Sequence, residues 1–182
     1  MKILIVGAGA VASVISKLLA EDKSITEIIC ATNDLVRAKD FIDLKNKKIK
    51  LKKVNAASVD DIAKVAKGVN LIINASLPRF NENVMKAALK VKANYQDLAS
   101  DLKDLKTPEQ LKLHNQFKKA KLVAVINTGI APGITNLMAA EGAEKMDSVD
   151  SIDIRLLEEQ KSSELVFTWS IETTLDELTA PP

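Results

Sequence analysis

The chain has 182 residues, 47% of them hydrophobic and 3% aromatic, with a formal net charge of +2. That is enough apolar material for a real core, filled by Ile, Val, Leu and Ala rather than by rings, and enough chain for one full domain and part of another. The near-neutral charge excludes a nucleic-acid or membrane surface as the expected partner, and the single cysteine, Cys30, excludes an internal disulfide and points to a reducing, cytoplasmic setting.

The first predicted element is a strand at residues 3–6, an apolar β-branched run too short for a core helix. Nothing before it has the form of a signal peptide, and no apolar run approaches the roughly 18–20 residues of a membrane span. Gly7-Ala8-Gly9 follows directly, and then a helical pattern of Val11, Val14, Ile15, Leu18 and Leu19. Strand, glycine turn and helix form the dinucleotide-binding spacing G-x-G-x-x-A, with Gly7, Gly9 and Ala12 at the small positions. Gly7 permits the sharp turn, Gly9 lets a pyrophosphate approach the backbone, and Ala12 lets the helix lie close on the strand. The N–H groups around Ala8, Ala10 and Val11 then face the phosphates at the positive helix end. The competing reading is a tight turn that only packs a helix on a sheet.

A break at residues 22–24 precedes a second strand at 26–31. In a dinucleotide fold its end approaches the adenosine ribose, where an acid would bond the 2′-hydroxyl of NAD. Thr32, Asn33 and Asp34 stand there instead. Without an acid at Thr32 a 2′-phosphate is admitted, and Arg37, one turn on, could pair with it. Asp34 could equally cap the next helix and leave Arg37 in solvent. NADP is therefore favoured as the cofactor, with NAD the alternative. A second helix is predicted over 35–44. Residues 45–53 interleave Ile49 and Leu51 with lysines. A basic nucleic-acid patch is one reading. Lysines facing solvent on an outer strand, blocking edge-to-edge pairing, is the stronger one, because no aromatic is interleaved for base stacking.

Ser58 is the predicted N-cap of a helix reaching residue 67, with Asp60 and Asp61 in its first turn and Gly68 at its end. Strands follow at 69–74, 93–98 and 122–127, separated by helices at 81–91 and 108–121. Thr107-Pro108-Glu109-Gln110 has the form of a capping box with proline at the first helical position. The alternation predicts an α/β fold over residues 1–128: a Rossmann-type, doubly wound parallel sheet in the order 3-2-1-4-5-6. Ligands of such sheets lie beyond the carboxyl ends of the strands, and Asn74, Asp97 and Asn127 with Gly129 all fall there. Each also has an ordinary reading, as cap, turn former or loop residue.

Residues 129–182 change character. A helix after Pro132-Gly133 is expected to end near 146, an alternating strand to span 149–157, another strand 165–169, and a helix capped by Ser170 to run over 171–178. This is expected to be the start of a second, α+β domain, cut short. His114 is expected at the surface of its helix and Cys30 inside its strand. No Cys/His cluster or paired-acid spacing suggests a metal.

Taken together, the residues resemble the saccharopine dehydrogenase family, especially its saccharopine reductase and lysine 6-dehydrogenase branch. The resemblance rests on Gly7-Ala8-Gly9, Asn74-Ala75-Ser76-Leu77-Pro78, Tyr95-Gln96-Asp97-Leu98-Ala99, the Gly-x-x-Pro-Gly run from Gly129 to Gly133, and Trp169-Ser170-Ile171-Glu172-Thr173. It implies an NADP- or NAD-dependent oxidoreductase acting on a C–N bond of an amino-acid or polyamine-like substrate, and a homodimer. Asn74, Ala75, Ser76 and Pro78 would border the nicotinamide ribose. Asp97 is the first candidate for acid/base work or amine binding, with Tyr95 second; strand alternation turns both to one face, where Tyr95 could equally be core. Asn127, Gly129 and Glu172 would face the substrate. The chain departs from the family at Thr32-Asn33, where an acid followed by arginine is common. A dinucleotide-sensing regulatory module and a non-catalytic fragment of such an enzyme are the alternative functions.

Overall fold

Six strands form one parallel sheet: β1 (Lys2–Val6), β2 (Glu27–Thr32), β3 (Ile49–Lys53), β4 (Leu71–Asn74), β5 (Asn94–Asp97) and β6 (Ala124–Val125). Their order is β3-β2-β1-β4-β5-β6, as the sequence predicts. The computed structural model describes residues 1–101, 107–157, 159, 161–163, 171, 174, 175 and 179. The chain divides into two units, Met1–Gly133 and Ile134–Pro182.

β1 is central because its side chains are apolar on both faces. Ile3 and Ile5 pack with Ile28, Cys30, Ala12 and Ala38, under α1 (Ala10–Glu21) and α2 (Leu35–Ala38). Leu4 and Val6 pack on the other face with Ile72, Ile62, Val84 and Phe117, under α3 (Val59–Val65), α4 (Asn81–Val91) and α5 (His114–Ala120). Two helical layers on one sheet leave β1 no solvent face, which is why its run is continuous rather than alternating. Ala12 is fully buried against the sheet, so the third small position of the glycine motif serves close helix packing.

Local signals explain the helix starts. The Asp34 carboxylate accepts from the N–H groups of Val36 and Arg37, and the Ser58 hydroxyl accepts from Asp61 N. Cys30 is buried, as expected, and desolvation pushes its thiol up to about 11, against a hydrogen bond with Ser16. His114 opens α5 on its exposed side.

Several expectations are corrected. α2 ends at Ala38 rather than near 44. Beyond it Ile42 anchors in the core and Asp43 caps Lys45 N, so tight turns replace the helix. The helix expected over 108–121 is a 3₁₀ turn, Glu109–Leu113, followed by α5. Gln110 does not close the capping box, because its side chain points inward to a buried carboxylate instead. β6 pairs over two residues only. In the second unit, α6 (Ile134–Ala143) is present, but residues 149–157 form no strand. Their apolar residues are exposed, Leu157 at 98%, and with no neighbouring strand among the described residues alternation alone makes no ladder. The expectations for 165–169, for Ser170 and for Glu172 lie outside the described residues.

Candidate functional site

The carboxyl edge of the sheet carries the site, and β1 ends at its middle. Gly7 turns the chain at φ +115°, a conformation that side chains resist. A Cβ there would lie 2.5 Å from the carbonyl oxygen of Ala75. Gly7 N donates to Ala31 O, and Ala75 N donates to Val6 O, each at 2.8 Å. The glycine turn is thus wedged between the ends of β2 and β4. Gly9 is the opposite case: a Cβ there would meet nothing within 4 Å. It caps α1 with no side-chain hydrogen bond, and Ala10 and Val11 beside it are exposed. The result is an open stretch of backbone at a glycine, beside the uncapped N–H groups of a 12-residue helix. Such groups carry partial positive charge and bind phosphate. The residues present fit a dinucleotide pyrophosphate.

At the end of β2, Thr32 is half-buried and Asn33 exposed. Thr32 accepts a long bond from Asp34 N at 3.4 Å. Arg37 is exposed, its guanidinium 6.0 Å from the Phe41 ring.

The ends of β4, β5 and β6 are polar, but their side chains meet each other. Asn74, 2% exposed, donates through Nδ2 to Asn81 Oδ1 at 2.7 Å, while its own Oδ1 accepts from Ser76 N and from the Ser76 hydroxyl. Those bonds shape the turn carrying Ala75, Ser76 and Pro78 past Gly7. Asp97, 1% exposed, accepts from the Tyr95 hydroxyl at 2.8 Å, from Gln110 Nε2 at 3.0 Å and from Asn127 N at 2.7 Å. Asn81 Nδ2 in turn donates to Glu109 Oε1 at 2.7 Å. Among the described residues no buried side-chain nitrogen or oxygen lacks a partner.

Burial drives the electrostatics of this cluster. Desolvation raises the Asp97 carboxyl above its ordinary range, and the bonds from Asn127, Gln110 and Tyr95 oppose the rise. Desolvation first, and the Asp97 charge second, push the Tyr95 phenol far above its ordinary range, so it stays a donor. The structure therefore places Tyr95 and Asp97 together, as strand alternation predicts, but inside the protein, with Tyr95 against Phe117. Asn127 takes the left-handed region at φ +58° to present its N–H to Asp97. Gly129 follows, and a Cβ on it would lie 2.6 Å from Leu98 O. The turn that begins at Asn127 is thus held against the end of β5.

Asn81, Glu109 and Gln110 carry this network, and none of them is a site candidate in the sequence. Asn81 is the first residue of an ordinary helix. Gln110 reads as part of a cap. Among the described residues no cation donates to the buried Asp97, so neutral donors satisfy it.

An open parallel sheet with helices on both faces and a glycine turn at the end of β1 defines a dinucleotide-binding protein of the Rossmann type. Residues 3–125 match the family described as the saccharopine dehydrogenase NADP binding domain, and the chain belongs to that family. NADP is accordingly its cofactor class. Among curated relatives, the chain is 30% identical over 175 residues to the carboxynorspermidine synthase of Vibrio cholerae, covering 85% of this chain and 42% of the relative. It is 29% identical over 161 residues to the carboxyaminopropylagmatine dehydrogenase of Synechocystis, covering 84% and 40%. The chain thus spans about two fifths of the length of these relatives. Among solved structures, the apo saccharopine dehydrogenase (L-Glu forming) of Saccharomyces cerevisiae superposes with a TM-score of 0.68 at 22% identity, over 79% of this chain and 31% of that one. That likeness is one of fold. Among the described residues, no helix is long and apolar enough to cross a membrane.

Proposed function

We propose that this chain is the nucleotide-binding part of an NADP-dependent oxidoreductase acting on the C–N bond of an amino-acid substrate. The observation that carries the reading is the open Gly9 cradle at the uncapped start of α1, wedged in place by Gly7. When bound, NADP supplies the acceptor or donor of a hydride at the carbon that carries the nitrogen. The chain's own residues do the rest by position. Ala8, Gly9, Ala10 and Val11 hold the pyrophosphate with backbone N–H groups, on the turn that Gly7 makes. Thr32, Asn33 and Arg37 face the adenosine ribose. Asn74 fixes the turn of Ala75, Ser76 and Pro78 beside the nicotinamide ribose. Asp97, with Tyr95 and Gln110, acts as a positioning residue: it holds Asn127 and Gly129 at the substrate mouth rather than exchanging a proton with substrate.

The substrate class we propose is a secondary amine bearing a carboxylated arm, saccharopine- or lysine-like. The names of the relatives, a carboxynorspermidine synthase and a carboxyaminopropylagmatine dehydrogenase, support it. Glu172 belongs to the same proposal as a substrate contact, as does a homodimer. A cytoplasmic setting is consistent with Cys30 being a free thiol.

One observation favours a second reading, a dinucleotide-sensing or non-catalytic module. The two acid/base candidates, Asp97 and Tyr95, are 1% exposed with their atoms engaged. Titrating the chain with NADPH and following nucleotide fluorescence tests the common ground, and saturable binding is expected. Turnover of a carboxyalkylated amine in the presence of NADP separates enzyme from sensor. Absence of NADPH binding would remove both readings.

A further inference from the structure

The lysine-rich strand β3 holds a residue that its edge position does not explain. Parallel pairing sets Thr32 beside Lys53, the last residues of β2 and β3. Neighbouring strands lie about 4.8 Å apart, and register partners point to the same face. That face is set by the earlier pairs, Ile28 with Ile49 and Cys30 with Leu51, which pack under α2 through Ala38. Lys53 therefore ends β3 on the side where Arg37 follows Thr32, at the position of the adenosine ribose.

The other lysines of this segment differ. Lys48 donates to the carbonyls of Ala20 and Asp22. Lys50 pairs with Glu27. Lys52 pairs in register with Ala31 and so points to the opposite face. Lys53 is exposed, and among the described residues neither it nor Arg37 has an ion-pair partner. Asp34, the acid nearest Thr32 in the chain, has its carboxylate turned onto the N–H groups of Val36 and Arg37.

We infer that Lys53 is a specificity-determining residue of the cofactor site: with Arg37 it recognises the 2′-phosphate that distinguishes NADP from NAD. The inference rests on the dinucleotide reading above and adds to it the group that discriminates between the two cofactors. A dianionic phosphate over Thr32 meets two cations from different elements, an arginine from the helix and a lysine from the neighbouring strand. No acid at Thr32 opposes it.

The test is a pair of fluorescence titrations, with NADPH and with NADH, on the chain and its variants. Lys53→Ala is expected to weaken NADPH about fivefold, the upper range for one exposed ion pair, and to leave NADH unchanged. Lys53→Arg should restore the preference. Lys52→Ala, on the opposite face, should leave the NADPH-to-NADH ratio where it was, which separates a local contact from diffuse charge. An unchanged ratio in Lys53→Ala, or equal losses in Lys52→Ala and Lys53→Ala, overturns the assignment. Wild-type binding of both nucleotides with equal affinity overturns this inference alone; binding of neither overturns the dinucleotide reading with it.

Discussion

The two halves of the sheet's carboxyl edge are built in opposite ways. At β1 the site is made of backbone: a glycine at positive φ, an unobstructed glycine and helix N–H groups without a side-chain cap. At β4, β5 and β6 it is made of side chains, Asn74, Asn81, Tyr95, Asp97 and Gln110, that satisfy one another out of solvent. The first half is left incomplete, so a ligand completes it. The second is complete already, so it serves as a frame for the turn beginning at Asn127. Polar residues at strand ends therefore do not all belong to the ligand, and the open backbone is the better sign of where a ligand goes.

The largest effect is expected at Gly7. Gly7→Ala forces a side chain into φ +115° and against Ala75 O, which should cost about 3 kcal/mol or more and remove nucleotide binding with it. Urea unfolding measures the first and NADPH titration the second. A variant as stable as the parent would mean that the wedge between β2 and β4 is slack.

Asp97→Ala comes next. It strips the acceptor from the Tyr95 hydroxyl, Gln110 Nε2 and Asn127 N together, and about 2–4 kcal/mol of stability should go. NADPH affinity should change far less, because the frame is not the cradle. The reverse pattern, intact stability with lost affinity, would move Asp97 into the ligand site.

Gly9→Ala should separate the same two properties from the other side. Its Cβ meets no protein atom, so stability should fall by less than about 1 kcal/mol, the cost of a poorer N-cap. NADPH affinity should drop at least about tenfold, because the methyl occupies the approach of the pyrophosphate. Unchanged affinity would place the phosphates elsewhere.

The smallest effect is a pH slope. Burial raises the folded Asp97 carboxyl above its ordinary 3.8, so the folded chain holds that proton more tightly than the unfolded chain. Its contribution is fully present below 3.8 and is lost as pH rises through the folded value. The stability of wild type relative to Asp97→Asn, measured by urea midpoints across pH, should therefore decline with rising pH. A flat difference would show that the hydrogen bonds to the carboxylate cancel its desolvation.

Much of this was legible in the sequence because it depends on local pattern. The glycine spacing, the buried run of β1, the Ser58 cap and the strand order follow from short-range chemistry and the winding rule. Asp97 and Tyr95 sharing a face followed from strand alternation. What was hidden depends on partners distant in sequence. Gln110 could cap its own turn or satisfy Asp97, and only the folded chain shows that the buried carboxylate takes it. The alternation over 149–157 predicted a strand, but a strand needs a neighbour, which a single sequence does not display. Lys53 looked like one edge lysine among several until register set it beside Thr32.

The most direct test of the contrast between the two halves is an amide NMR titration of the chain with NADP. Shifts should gather at Ala8, Gly9, Ala10 and Val11, while the side-chain amide of Gln110 and the backbone amide of Asn127 keep their positions. Movement concentrated at Gln110 and Asn127, with the glycine turn unaffected, would contradict the account.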